Sequence, residues 1–385
     1  MIAYNKEWLD HLTLRESLQD AFDDGCITKE EQAAVNEKYP VGFYTPNIFI
    51  RIGLYLLTLI IMLFSFGLLV LMFLSSIENS VSGLLIFFSI MGYAALEYMV
   101  NVKKHYNSGV DDGLLWGSAF SFVAGTVLSH NLPMLADCII VCMVAMYFTL
   151  RFADRLMAVI AFLSVLGIFF YTCVEFGNIA KAVAPFVIML ISAVIYFIVK
   201  KNEAKNYVVH YGHCLQMILI ASLISFYAAG NYFVVRELSN SMFHLNLLPG
   251  QTIPYGWLFW AFTFIIPVVY IARGVQKKDS MLIRVGMLLL AAIVFTVRYY
   301  HAILPVESVM TISGVILIVL GYWLMKYLHE PKYGFTYMEV SKKNGQDKLN
   351  IESLVIAQTF SGETDQGGTK FGGGSFGGGG ASGDY

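Results

Sequence analysis

Ten long apolar segments fill the sequence between residues 52 and 327, and they constrain the fold more than any other feature. A helix needs roughly 20 apolar residues to cross the hydrocarbon core of a bilayer. With 57% hydrophobic and only 14% charged residues, the chain is too apolar for an ordinary soluble domain. The sequence therefore predicts an all-α polytopic integral membrane protein, a bundle of about ten transmembrane helices surrounded by lipid. The predicted spans are Ile52 to Leu74, Val81 to Val102, Gly113 to Ser129, Met134 to Leu150, Leu156 to Val174, Ala182 to Val199, Cys214 to Gly230, Tyr255 to Ala272, Met281 to Val297 and Val306 to Tyr327.

Basic residues are concentrated in every second gap between these spans. The second, fourth, sixth and eighth gaps contain ten of them, whereas the other five gaps contain only Lys181 and Arg236. Cytoplasmic loops carry the excess of Lys and Arg in membrane proteins. We therefore expect both termini in the cytoplasm and an even number of crossings. The ten residues are Lys103, Lys104, Arg151, Arg155, Lys200, Lys201, Lys205, Arg273, Lys277 and Lys278.

Residues 1–51 form an acidic segment before the first span, with nine Asp and Glu against five Lys and Arg. Thr13 with Glu16, and Thr28 with Glu31, have the spacing of two capping boxes, in which side chains satisfy the first backbone N–H groups of a helix. The segment is predicted to be a cytoplasmic helical hairpin with one apolar face to bury. No basic and apolar leader precedes it, so we expect no cleaved signal peptide.

The region after the last span is polar. Residues 328–366 include a modest apolar patch, 349–356, that fits a short helix or a strand equally well. Residues 367–385 are rich in Gly and carry too little apolar surface to offset the entropy of ordering, so they are predicted to be a disordered tail. The membrane bundle, 52–327, is thus flanked by two cytoplasmic ends.

A stripe of small residues recurs every fourth position along the third span. Its members are Gly113, Gly117, Ser121, Gly125 and Ser129. Small side chains let two membrane helices approach closely. The stripe therefore predicts tight helix packing, with a ligand path along the groove as the alternative.

Ionisable residues in or beside the spans are costly to insert and are candidates for function. By the predicted orientation four of them lie toward the outer side and form a candidate polar pocket, namely Asp137, Arg298, His301 and Glu307. Glu175 lies on the same side. The alternative is ordinary anchoring of charges in interfacial water. Glu97, near the inner end of the second span, is expected to reach Lys103 or Lys104.

The sequence contains no catalytic or cofactor motif. H-E-x-x-H, G-x-S-x-G and the phosphate-binding G-x-x-x-x-G-K-[ST] are missing from it. His210, His213 and Cys214 could present three metal-capable side chains on one helix face, but no fourth ligand accompanies them, so interfacial histidines are the preferred interpretation. We expect no enzyme, no cofactor, no metal and, from a net charge of -2, no nucleic acid as partner.

Two parts of the chain show a family resemblance. The acidic start with DDGCITKEEQAAV, followed by an apolar span, resembles the N-terminal region of a family of predicted bacterial membrane proteins known only as a domain of unknown function. The ending FGGGSFGGGGASGDY resembles the Gly-rich C-termini of various bacterial envelope-associated membrane proteins. The resemblance implies a bacterial inner-membrane protein and assigns no residue a role.

Two functions are compatible with these features. The preferred one is a non-enzymatic scaffold or regulatory protein that binds a cytoplasmic protein partner through the N-terminal hairpin or the Gly-rich tail. The alternative is a secondary transporter of a small solute or ion that uses the outer polar residues. A transporter needs polar residues that meet near the middle of the membrane, whereas a scaffold needs only packed spans and accessible ends.

Overall fold

The computed structural model describes residues 2–23, 25–73, 81–129, 133–175, 178–203, 210–243, 253 and 255–300, with scattered helical positions between 308 and 326. Within these ranges the fold is all-α, as predicted, and the only extended pairing is an isolated bridge between Tyr44 and His105. The twelve helices are α1 (Lys6–Asp23), α2 (Lys29–Lys38), α3 (Ile48–Met72), α4 (Val81–Asn101), α5 (Val110–Ser129), α6 (Met134–Phe152), α7 (Arg155–Glu175), α8 (Asn178–Asn202), α9 (Gly212–Gly230), α10 (Tyr232–Phe243), α11 (Gly256–Lys277) and α12 (Ser280–Tyr300).

Nine of these helices coincide with the first nine predicted spans, with shifts of a few residues at their ends. Eight helices in the described part of the chain are long and apolar enough to cross a membrane, which makes this a multi-pass membrane protein. The helix α5 is not among the eight because its glycines, serines and two aspartates lower its apolarity. Most of the tenth predicted span, and all of 328–385, lie outside the described residues.

Antiparallel helix pairs joined by short turns build the bundle. The turn between α6 and α7 consists of Ala153, in the left-handed conformation at φ 53°, and Asp154, whose side chain accepts from the N–H of Met157. The turn between α11 and α12 repeats this design with Lys278 at φ 52° and Asp279 as the cap. In each turn the left-handed residue ends one helix, and the aspartate directly after it caps the next helix. These turns therefore need only two residues.

Two large hydrophobic cores lie along the described bundle, besides a smaller one around Tyr232 and Phe259 that joins α10 to α11. The first is built by α4, α5 and α6 around Leu96, Leu115 and Phe148. The second is built by α9, α11 and α12 around Leu223 and Leu289. The helix α7 packs against α6, which belongs to the first core. It also packs against α8 and α9, of which α9 belongs to the second core, and so it connects the two cores.

One end of the bundle carries most of the described basic residues, and we call it the basic end. Polar contacts tie the inter-helix segments together there: Arg51 to Asp112, Glu97 to Arg151, and the Tyr211 hydroxyl to the carbonyl of Leu150. Lys200 also lies 3.5 Å from Asp279. We call the other end, where α10 lies, the opposite end.

The N-terminal hairpin differs from the sequence prediction in one respect. The helix α1 begins at Lys6 rather than at Thr13, and the Thr13 hydroxyl donates backwards to the carbonyl of Asp10 at 2.8 Å. The capping box at Thr13 is therefore wrong, because a helix that has already started offers a carbonyl acceptor there. The box at Thr28 and Glu31 is confirmed, with both reciprocal bonds present.

Candidate functional site

Tyr4 anchors the N-terminal segment to the bundle at the basic end. Its side chain is 8% exposed, and its ring packs edge-on against Tyr106 at 4.8 Å and Phe152 at 6.4 Å between centroids. The N–H of Ala3 donates to the carbonyl of Arg151 at 2.8 Å. Burial raises the pKa of Tyr4 well above its ordinary value, which keeps the phenol neutral. The segment is thus held in the core that α4, α5 and α6 also build.

A second contact holds the chain that follows the hairpin. The N–H of Tyr44 donates to the carbonyl of Lys104 at 2.9 Å, and the N–H of Tyr106 donates to the carbonyl of Tyr44 at 3.3 Å. Trp8 packs edge-on against Phe43, at 5.2 Å between ring centroids. Contacts before α1 and after α2 therefore fix the hairpin at both of its ends.

Glu97 and Arg151 form a bidentate ion pair across the basic end. The guanidinium Nε and Nη2 donate to the two carboxylate oxygens at 2.9 and 3.0 Å. The Tyr93 hydroxyl donates to the same carboxylate at 2.6 Å and also bonds the Tyr147 hydroxyl at 2.6 Å. The expectation that Glu97 reaches Lys103 or Lys104 is wrong, because the carboxylate faces α6 across the core instead of the following loop.

The loop 102–109 carries a second polar cluster. Arg51 donates through Nη2 to Asp112 at 2.7 Å and to Asn107 at 3.3 Å. Asp111, 3% exposed, accepts from both the N–H and the hydroxyl of Ser108 at 2.9 Å. Gly109 has φ +91°, and a Cβ atom there would lie 2.1 Å from the carbonyl oxygen of Arg51. Only glycine fits this close approach of the loop to α3.

Asp154 is the acidic residue of the α6–α7 turn. Burial raises the pKa of its carboxyl, although the hydrogen bond that the backbone N–H of Met157 donates to the carboxylate acts in the opposite direction. Burial likewise raises the pKa of the Tyr106 phenol. The basic end therefore combines buried acidic groups with the docked hairpin.

The opposite end contains a break between α9 and α10, directly after the predicted end of the seventh span at Gly230. Asn231, 2% exposed, is the single residue outside both helices. Its amide donates to the Tyr227 hydroxyl at 2.8 Å and to the Thr296 hydroxyl at 3.1 Å, and its carbonyl oxygen caps α10. The Thr263 hydroxyl accepts from the N–H of Tyr232 at 3.0 Å. The signal was Gly230–Asn231 at the end of an apolar run, a common place for a helix to stop.

Beside this break, α10 carries a buried arginine. The Arg236 side chain is 10% exposed, lies over the Tyr300 ring at 5.1 Å and contacts Glu237 at 3.2 Å. The Tyr300 hydroxyl donates to the same Glu237 oxygen at 3.2 Å. Arg236 is one of the two basic residues in the five gaps that otherwise lack Lys and Arg. This exception to the charge pattern was the feature of the sequence that singled it out.

The candidate polar pocket is described only in part. Asp137 lies in the first turn of α6 and Arg298 in the last turn of α12, whereas His301 and Glu307 lie outside the described residues. In the described ranges no ion pair joins Asp137 to Arg298; α6 packs against α5 and α7, and α12 against α11 and α9. The buried Oδ1 of Asp137 has no hydrogen-bond partner there. The convergence of the four residues stays a prediction.

The small-residue stripe of α5 faces two helices. A Cβ atom at Gly113 would lie 2.9 Å from Thr58, and one at Gly117 would lie 2.5 Å from Met62, both on α3. A Cβ at Gly125 would lie 2.9 Å from the carbonyl oxygen of Ser82 on α4. Ser121 is 7% exposed. The stripe thus lies where α3 and α4 approach α5.

Of the three metal-capable residues in and just before α9, His210 and Cys214 have separate surroundings. His210 Nδ1 is 3.8 Å from a carboxylate oxygen of Asp10, and the Cys214 thiol donates to the carbonyl of Ala153 at 3.1 Å. Among the described residues no group of three or more His, Cys, Asp or Glu side chains could hold a metal ion.

Comparison of the chain with protein-family models, curated proteins and solved structures finds no match. The geometry alone therefore has to carry any functional argument.

Proposed function

We propose that this protein is a non-enzymatic scaffold or regulatory protein of the bacterial inner membrane that acts through its cytoplasmic ends. The observation that carries the proposal is the docked N-terminal hairpin. Buried Tyr4 fixes its orientation, while α2 buries none of its residues. A helix that is held in place and has most of its residues exposed suits binding of a protein partner, because little ordering entropy has to be lost on association.

The charge of the hairpin supports the same proposal. Most of its acidic residues are exposed although the bundle end beside it is basic; they include Glu7, Asp23, Glu30, Glu31 and Glu37. A cytoplasmic membrane surface is negatively charged and repels such a face. The hairpin is therefore directed toward a soluble partner with a basic surface, with both termini of the chain in the cytoplasm.

A complementation experiment tests the proposal. In a strain that lacks the protein and has a phenotype, Tyr4→Ala and the double variant Glu30→Gln, Glu37→Gln should fail to restore the phenotype at unchanged abundance in the membrane. Tyr4→Ala releases the hairpin, and the double variant removes exposed charge without touching the cap at Glu31. Lys29→Gln, which changes the opposite charge on the same helix, is the matched control and should complement.

A secondary transporter is the second candidate, favoured by the unpartnered carboxylate oxygen of Asp137 within a membrane helix and by the helix break at Asn231. The same strain separates the two. If Asp137→Asn and Arg298→Gln abolish complementation at normal abundance while the hairpin variants complement, the scaffold proposal is wrong and transport is supported.

A further inference from the structure

A cavity of about 260 Å³ lies among α7, α8, α9 and α10, toward the opposite end of the bundle. Small residues and a proline on two of these helices leave it open: Ala184 and Pro185 on α8, and Ala228 and Ala229 on α9. Proline inside α8 removes a backbone hydrogen bond and carries no bulky side chain at that point. The cavity therefore results from the small side chains of neighbouring helices.

Several glycines elsewhere in the described bundle allow close packing and leave no cavity beside them. Gly117 lies against Met62, Gly125 against Ile86 and Gly274 against Ile283, so a neighbouring side chain occupies the room that each glycine leaves. Around the cavity, no side chain of the described residues fills the room that Ala184, Ala228 and Ala229 leave. Packed protein interiors tolerate few voids of this size, because each void forfeits the dispersion contacts of its lining.

The lining defines the chemistry of an occupant. Its side chains are apolar except for the hydroxyls of Ser225 and Ser239. An apolar cavity stays dry and binds hydrocarbon, and a polar ligand entering it would lose hydrogen bonds to water without replacing them. A volume near 260 Å³ is below that of ordinary pockets for compact ligands, which suits a narrow chain.

The position of the cavity identifies the source of that hydrocarbon. The three helices α7, α8 and α9 are each long and apolar enough to cross a membrane. Leu238, which lines the cavity, is 43% exposed, and nearby Leu163 on α7 and Leu190 on α8 are 49% and 64% exposed. The cavity therefore communicates with the surface that the bilayer covers, where acyl chains are the abundant hydrocarbon.

The helix α10 forms one wall of the cavity in a way that suits the membrane surface. Val234, Val235 and Leu238 line the cavity, whereas Arg236 and Glu237 bond Tyr300 on another face of the helix. Amphipathic helices of this kind lie in the plane of the interface, with the apolar face toward the acyl chains. We infer that the cavity binds one acyl chain of a membrane phospholipid, inserted from the bilayer beneath α10.

Photo-crosslinking in vesicles tests this inference, which is independent of the proposed function. The full-length protein is reconstituted into phosphatidylethanolamine vesicles doped with the same lipid carrying a diazirine in one acyl chain, and labelled peptides are mapped by mass spectrometry. Peptides containing Ile188, Ala228 and Leu238 should be labelled more than those of the exposed face of α3. Ala228→Leu fills the cavity and should lower their labelling about tenfold.

The matched control is Ala94→Leu, the same exchange on an exposed face of α4, which should leave the labelling unchanged. If Ala228→Leu does not fold, excess unlabelled oleic acid added to the wild type should reduce labelling of the cavity residues selectively. Labelling of the cavity no stronger than that of α3, or labelling unaffected by both Ala228→Leu and oleic acid, would overturn the inference.

Discussion

The Glu97–Arg151 pair shows how single charged residues are accommodated close to the membrane helices. Each partner keeps part of its surface exposed, with 32% of the Arg151 side chain and 21% of the Glu97 side chain accessible. Two parallel N–H···O bonds and the Tyr93 hydroxyl satisfy the carboxylate. Such bidentate, charge-assisted bonds are stronger than ordinary surface pairs, so this pair contributes to stability despite partial screening by water.

A double-mutant cycle measures that contribution. We expect Glu97→Gln and Arg151→Gln to couple by about 1 kcal/mol in the free energy of unfolding, measured by denaturant titration of the purified protein. The cycle of Glu97→Gln with Lys103→Gln is the matched control, and its coupling should be close to zero. Coupling to Lys103 as large as that to Arg151 would contradict the observed pairing.

The helix α5 shows how an element can belong to a membrane bundle without being strongly apolar. It packs against α3, α4 and α6, so protein rather than lipid surrounds much of its surface. The Ser89 hydroxyl donates to the carbonyl of Ser118 at 2.8 Å, a bond between α4 and α5 that both serines reach only because the helices lie close together. Small and polar residues are thus favourable at this central position.

The glycines of α5 should differ in their tolerance of a methyl group. Gly125→Ala places Cβ 2.9 Å from a backbone oxygen, that of Ser82, which cannot move aside, and should destabilise the protein by about 1–3 kcal/mol. Gly117→Ala meets only the flexible end of Met62 and gains helix propensity, so it should be nearly neutral. Thermal unfolding of both variants gives the comparison, and equal loss in both would contradict it.

At the scale of the whole molecule, the polar contacts are divided between the two ends. The basic end holds the docked hairpin, the arginine–carboxylate pairs of Arg51 and Arg151, and the two-residue turns. The opposite end holds the Asn231 break and the α10 helix. Because an excess of basic residues marks the cytoplasmic loops of membrane proteins, the orientation proposed above places the basic end in the cytoplasm, and this can be tested.

Cysteine labelling tests the orientation. Cys26 is exposed in the hairpin, and Ser241→Cys introduces a thiol at an exposed position of α10. In a chain whose other four cysteines are replaced by alanine, a membrane-impermeant maleimide applied to intact bacterial spheroplasts should label the introduced Cys at 241 but not Cys26. Permeabilised spheroplasts should label both. Labelling of Cys26 in intact spheroplasts would reverse the proposed orientation.

Local features of the fold were predictable from the sequence. Nine spans and the Thr28 capping box follow from hydropathy, length and spacing, which depend only on neighbours along the chain. The start of α1 was misplaced because a second capping signal, at Thr13, also occurs inside the helix, and spacing alone does not distinguish the two.

Pairings between distant segments were decided by the tertiary structure. Glu97 pairs with Arg151 and not with the two lysines that are nearer in sequence. Tyr4 is a core residue of the bundle, and Asn231 donates a hydrogen bond to Thr296. The unfilled cavity beneath α10 likewise depends on how three helices meet. The hydropathy of a segment indicates that it forms a membrane helix. It does not indicate which helices are neighbours or how each helix is rotated about its axis, and that rotation determines which side chains are in contact.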